Sequence, residues 1–172
     1  TMSTVRMTIP HDFILGAAAS AWQTEGWSGK QEGQDSWPDL WYKNDRHVWH
    51  NGYGPAVATD FINRFREDVQ LMKLAGLTHY RTSINWSRFL TDYENVTVDE
   101  EYAAYYDRLF DELLANGIEP MICLEHYELP GYLLEQYGGW AAKKVVELFV
   151  RYAEKVFARY HHKVTRWFTF NE

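Results

Sequence analysis

Cysteine is nearly absent, with one in 172 residues, Cys123. A lone thiol excludes an internal disulfide and a cysteine-rich zinc site, and it fits a reducing compartment. Runs of Lys or Arg are missing as well, and 17 basic against 24 acidic side chains leave a formal charge of −7. A nucleic-acid binder needs a basic footprint to displace counterions, so that class is set aside. No stretch approaches the ~20 apolar residues of a membrane-spanning helix, and a membrane partner is not expected. The apolar run from Phe13 to Ala21 has the small residues of a secretory leader, but Arg6 is the one cation before it. It is expected to belong to the fold. Also lacking are a G-x-G-x-x-G phosphate loop and a G-x-S-x-G nucleophile elbow.

What is present describes a globular protein. Hydrophobic residues make up 46% and charged residues 24%, enough to bury a core at this length. Aromatic residues are abundant at 17%, with eight Trp and twelve Tyr. Most should pack the interior, but such rings also stack on the apolar faces of sugars.

Periodicity organises the chain into alternating strands and helices. Phe13 to Leu15 reads as a short buried strand ending at Gly16, and residues 26–57 as one long loop. Phe61, Phe65, Val69 and Met72 share one face of a helix that Gly76 ends. Thr78–Ile84 alternates as a second strand. Thr97 to Glu100 reads as a capping box opening a helix with Tyr102, Tyr106, Leu109, Phe110 and Leu113 inward. Glu119–Leu124 is the third strand, roughly 141–160 the third long helix, and Val164–Phe170 the fourth strand. Repeated strand–helix alternation implies parallel strands with helical crossovers. Without a phosphate loop, a (β/α) barrel is preferred to an open doubly wound sheet. The fold class is therefore α/β, with residues 1–172 supplying the first four units of an eight-unit barrel as one incomplete domain.

Barrel active sites gather at the C-terminal ends of the strands. Those ends carry Gln23-Thr24-Glu25, then Arg81 and Ser83 with Asn85-Trp86-Ser87-Arg88, then Glu125-His126-Tyr127-Glu128, and last Asn171-Glu172. Carboxamides, an imidazole, carboxylates and indoles suit the binding of hydroxyls and the stacking of a sugar ring. Glu172, beside Trp167 and Phe168, either stands in a low-dielectric wall that would keep it protonated for general-acid work or is an exposed residue on a frayed end; spacing leaves both open. His47-x-x-His50 has no third ligand nearby, and His126-x-Glu128 lacks the downstream Pro-Cys-x-x-Cys of a zinc deaminase. Neither pattern supports a metal site.

The strings Phe13-Ile14-Leu15-Gly16 through Trp22-Gln23-Thr24-Glu25-Gly26, Tyr80-Arg81-Thr82-Ser83-Ile84-Asn85-Trp86-Ser87-Arg88, His126-Tyr127-Glu128-Leu129-Pro130 with Gly138-Gly139-Trp140, and Trp167-Phe168-Thr169-Phe170-Asn171-Glu172 occur in order along the chain. Together they resemble the motifs of glycoside hydrolase family 1, most nearly the bacterial 6-phospho-β-glucosidases. Thr82, Glu128 and the run Leu148 to Glu154 carry the narrower likeness. The resemblance implies a cytoplasmic retaining glycosidase, needing no metal or organic cofactor, in which Glu172 is general acid and then general base. It implies that Asn171 holds the sugar 2-hydroxyl, that Gln23 and His126 hold other hydroxyls, and that Tyr127 lines the pocket. It implies too that Arg81 lies beside a nucleophilic carboxylate. That nucleophile is not found in this sequence, so the chain alone is expected to be inactive. The implied substrate is a β-glycoside, a phosphorylated disaccharide or aryl glucoside. The alternatives are a β-glucosidase or β-galactosidase without phosphate preference, and a non-catalytic half-barrel that pairs with itself or with a C-terminal half.

Overall fold

In a computed structural model, residues 4–172 are described. Strands β1 (Gly16–Ala18), β2 (His79–Ser83), β5 (Glu119–Glu125) and β6 (Arg166–Phe170) form one sheet, in the order β1-β2-β5-β6. Every pairing in it is parallel. Sequential order is the pattern of a barrel wall; a doubly wound sheet reverses its order part-way.

The crossovers are α3 (Phe61–Leu74), α5 (Glu100–Ala115) and α7 (Lys143–Tyr160). Phe65, Leu109 and Val156 from these helices share one core with Tyr80, Ile122 and Leu124 from the sheet. The helices thus cover one sheet face, and Arg81 points from the other. The apolar stripes read from the sequence account for this packing: Tyr102, Tyr106, Leu109, Phe110 and Leu113 are all buried on α5. Val145, Phe149, Tyr152, Val156 and Tyr160 are all buried on α7. Burying each such side chain contributes about 1.5–3 kcal/mol.

Three expectations are corrected. The first strand lies at Gly16–Ala18, not Phe13–Leu15, whose side chains are exposed. Close approach decides this: a Cβ on Gly16 would stand 2.7 Å from the His79 carbonyl oxygen, so only glycine can pair there. Residues 26–57 are not one loop, since they contain α2 (Trp37–Asn44) and two short 3-10 turns. Ser36 caps α2 in a capping box with Asp39. The box expected at Thr97 does not form. Thr97–Val98 (β4) pairs with Leu90–Asp92 (β3) as a hairpin, and Asp99 caps α5 by accepting from Tyr102 N–H at 3.2 Å. Short helices α1 (Ala21–Thr24), α4 (Trp86–Phe89) and α6 (Gly131–Tyr137) complete the chain.

Candidate active site

Each strand of the sheet delivers polar side chains at its C-terminal end. After β1 the chain turns at once into α1, capped by Ser20. Ser20 Oγ donates to Gln23 Oε1 at 2.8 Å, which holds the exposed carboxamide in one orientation. Trp22 beside it donates from Nε1 to the buried carboxylate of Asp39 at 2.9 Å.

From β2, Arg81 reaches across the open face and donates from Nη2 to Asn171 Oδ1 at 3.0 Å. Its guanidinium also lies 4.9 Å from the centre of the Phe168 ring. The Asn171 backbone N–H donates to the Glu125 carbonyl at 3.0 Å, extending the β5–β6 ladder to the site.

The end of β5 is the most constrained part. Tyr127 has φ +70°, the left-handed region that a bulky side chain rarely enters. That turn carries its hydroxyl to Glu172, where it donates to Oε2 at 2.5 Å. The bond pushes the Tyr127 phenol above its ordinary value, with smaller contributions from desolvation and the carboxylate charge. Burial lowers the His126 imidazole and nearby Arg81 lowers it further, while Glu172 acts in the opposite sense. Burial raises Glu125, offset in part by the backbone N–H groups of Tyr127, Leu129 and Glu128.

Two adjoining cavities open here. One of about 580 Å³ is walled by Trp37, Glu125, Tyr127, Trp140, Phe170 and Glu172. The other, about 130 Å³, is lined by Trp22, Gln23, Trp49 and His126, with Trp37 and Tyr127 as the walls common to both. Among the described residues, no group of three or more His, Cys, Asp or Glu side chains gathers to hold a metal ion.

A family description, glycosyl hydrolase family 1, matches residues 5–172. The chain belongs to glycosyl hydrolase family 1. Family 1 relatives include the aryl-phospho-β-D-glucosidase BglH of Bacillus subtilis, 38% identical over 99% of this chain and 37% of that protein. Beta-glucosidase 26 of Oryza sativa is 41% identical over 97% of this chain and 32% of its own length. Phospho-β-glucosidases and plant β-glucosidases therefore match equally well at the level of overall identity. Among solved structures, an aphid myrosinase superposes with TM-score 0.89 at 30% identity, over 96% of this chain and 36% of that one. A psychrophilic β-glucosidase, BglU of Micrococcus antarcticus, gives 0.88 at 38% identity over 96% and 34%. The chain spans about a third of the length of the relatives it matches. It forms a partial (β/α)8 barrel of the family 1 type.

Of the residues singled out in the sequence, Gln23, Arg81, His126, Tyr127, Asn171 and Glu172 all stand on this family 1 rim. Others expected there do not. Trp86 is fully buried and stacked on Tyr152 at 5.3 Å. Arg88 is buried beneath the loop, donating to the carbonyls of Gly26 at 3.0 Å and Ser28 at 2.7 Å. Glu25 is buried, accepting from Tyr102 at 2.5 Å and also from Tyr106. Nor is the low-dielectric wall around Glu172 formed, since that side chain is exposed. Trp167 turns the other way, its ring 4.9 Å from Phe157 on α7. Trp37, Trp140 and Phe170 also wall the cavity and were not singled out in the sequence; Trp140 and Phe170 lie within the family motifs, but nothing local shows that Trp37 and Trp140, distant in sequence from Glu172, share a cavity with it.

Proposed function

We propose that this chain supplies the acid/base half of a retaining β-glycosidase site, acting on a 6-phospho-β-glucoside. The carrying observation is the Tyr127–Glu172 hydrogen bond at the mouth of an aromatic-walled cavity, beside the Arg81–Asn171 pair. In this reading Glu172 protonates the leaving glycosidic oxygen, then takes a proton from the water that releases the sugar. Asn171 meets the 2-hydroxyl, and Arg81 holds it in place while presenting positive charge to a nucleophilic carboxylate. Two such carboxyl groups stand ~5–5.5 Å apart in retaining enzymes. The second is expected from outside this chain, so the 172 residues alone should not turn over an aryl 6-phospho-β-glucoside.

The phosphate preference rests on relatives named as phospho-β-glucosidases. Parallel assays on glucoside and 6-phosphoglucoside with a chain extended to include a nucleophile decide it. In that protein, Glu172→Gln should lower turnover of a substrate with an alkyl leaving group by about 10²–10⁴-fold. Undiminished turnover would remove Glu172 from the acid/base role. A second reading, a half-barrel that pairs with a second copy or a C-terminal half, is favoured by exposed Phe168 and Phe170 on edge strand β6.

A further inference from the structure

The carboxyl group of Glu128 is fully buried and is not needed for any step above. Its partners come from three different strand ends. Oε1 accepts from Ser83 Oγ at 2.6 Å, at the end of β2, and from the Trp22 backbone N–H at 3.4 Å, in α1 after β1. Oε2 accepts from the backbone N–H of His126 at 2.7 Å, after β5. Ser83 Oγ in turn accepts from the Ala21 N–H at 2.8 Å. The first two N–H groups of α1, which have no partner within the helix, are therefore satisfied by residues of β2 and the β5 loop.

Placing a carboxyl group in a dry interior is costly unless donors surround it. Here the donors belong to the segments that carry Gln23 and His126. We propose that Glu128 is a positioning residue of the sugar site: it fastens the ends of β1, β2 and β5 together and so sets the separation of Gln23 and His126. The inference rests on the glycosidase reading for the purpose of that spacing, but not for the existence of the clamp.

A carboxyl group does here what an amide cannot. In Gln the NH2 group accepts nothing, so either His126 N–H or the Ser83–Trp22 pair loses its acceptor. Glu128→Gln therefore splits the clamp with almost no change in volume.

Amide hydrogen exchange on the 172-residue chain, read by NMR, tests the clamp. In Glu128→Gln, exchange at His126 or at Trp22 should quicken at least tenfold, while Ile122 in the middle of β5 keeps its wild-type rate. Unchanged rates at both positions would overturn the proposal, as would a rise matched at Ile122, which signals general loosening. Should that variant not fold, Ser83→Ala serves: Ala21, which loses its acceptor, should exchange at least tenfold faster, while Trp22, still bonded to Oε1, and His126, still bonded to Oε2, do not. Unchanged exchange at Ala21 would then overturn it. Titration with 1-deoxynojirimycin, a glucose-shaped amine, separates the two layers. Shifts at the Gln23 carboxamide and His126 that weaken at least tenfold in Glu128→Gln support the positioning role. Equal binding by both proteins despite freed amides overturns it. No response in the wild type counts against Gln23 and His126 as sugar contacts, and the exchange rates still decide the clamp.

Discussion

Glu128 shows at the residue scale how function and stability compete. Burial pushes its carboxyl group well above the ordinary 4.5, and neighbouring Glu125 adds to the rise against the hydrogen bonds from Ser83 and His126. A raised folded pKa means that the native state holds its proton longer than the unfolded chain does. The associated stability is present below pH 4.5 and is lost as pH rises through the folded value. The stability of the wild type relative to Glu128→Gln should therefore fall between pH 4.5 and neutrality in urea titrations; a rising difference would contradict the burial argument. Tyr127 offers a second test. Its phenol is raised chiefly by donating to Glu172, so Glu172→Gln should return its titration toward 10. Ultraviolet difference titration, with Tyr127→Phe to assign the signal, measures this.

At the scale of elements, the segment between β1 and α3 is held by one buried acid. Asp39 accepts from the indoles of Trp22 at 2.9 Å and Trp27 at 3.1 Å, and pairs with Lys30 at 3.0 Å. Lys30 also pairs with Asp35, and its ammonium group lies 4.0 Å from the centre of the Trp27 ring. Asp39→Ala takes the acceptor from two indoles and leaves Lys30 with Asp35 alone, so at about 1–3 kcal/mol for each unsatisfied donor it should cost about 2–6 kcal/mol in denaturant unfolding. It should also shift Trp fluorescence, because two indoles lose their acceptor. The α5 stripe provides a comparison of a different kind. Leu109→Ala removes fully buried apolar volume and should cost about 2–5 kcal/mol without altering the indole environment of Trp22.

The whole molecule presents an open sheet. Among the described residues, β1 and β6 each have one neighbouring strand, and the face bearing Arg81 and Phe168 is uncovered by helices. Unpaired strand edges with exposed aromatics are templates for further pairing. The 172-residue chain is expected to sediment above its 20.3 kDa monomer mass at high concentration. A monomer at every concentration would argue against the association reading. It would leave untouched the expected lack of turnover, which depends on a second carboxylate and not on assembly.

Periodicity alone made the three long helices and three of the four sheet strands legible, because each buries a stripe of side chains whose spacing is local. The ordered motifs likewise marked the family and the six rim residues. Local spacing failed where a neighbour decides the outcome. Phe13–Leu15 is more apolar than Gly16–Ala18, yet the strand forms where a missing Cβ lets the backbone approach His79. Ser36 and Asp39 carried a cap signal for α2, but that signal is convincing only once Trp22, Trp27 and Lys30 converge on the same carboxylate. Whether a polar residue near a strand end faces the cavity or the core was likewise invisible: Gln23 and Glu25 sit two apart, one exposed at the rim and one buried under two tyrosines. The sequence determined which segments bury an apolar face. Tertiary structure decided which carboxyl groups meet solvent and which are enclosed by donors from distant strands, because the free energy of a buried charge depends on partners that no local pattern contains.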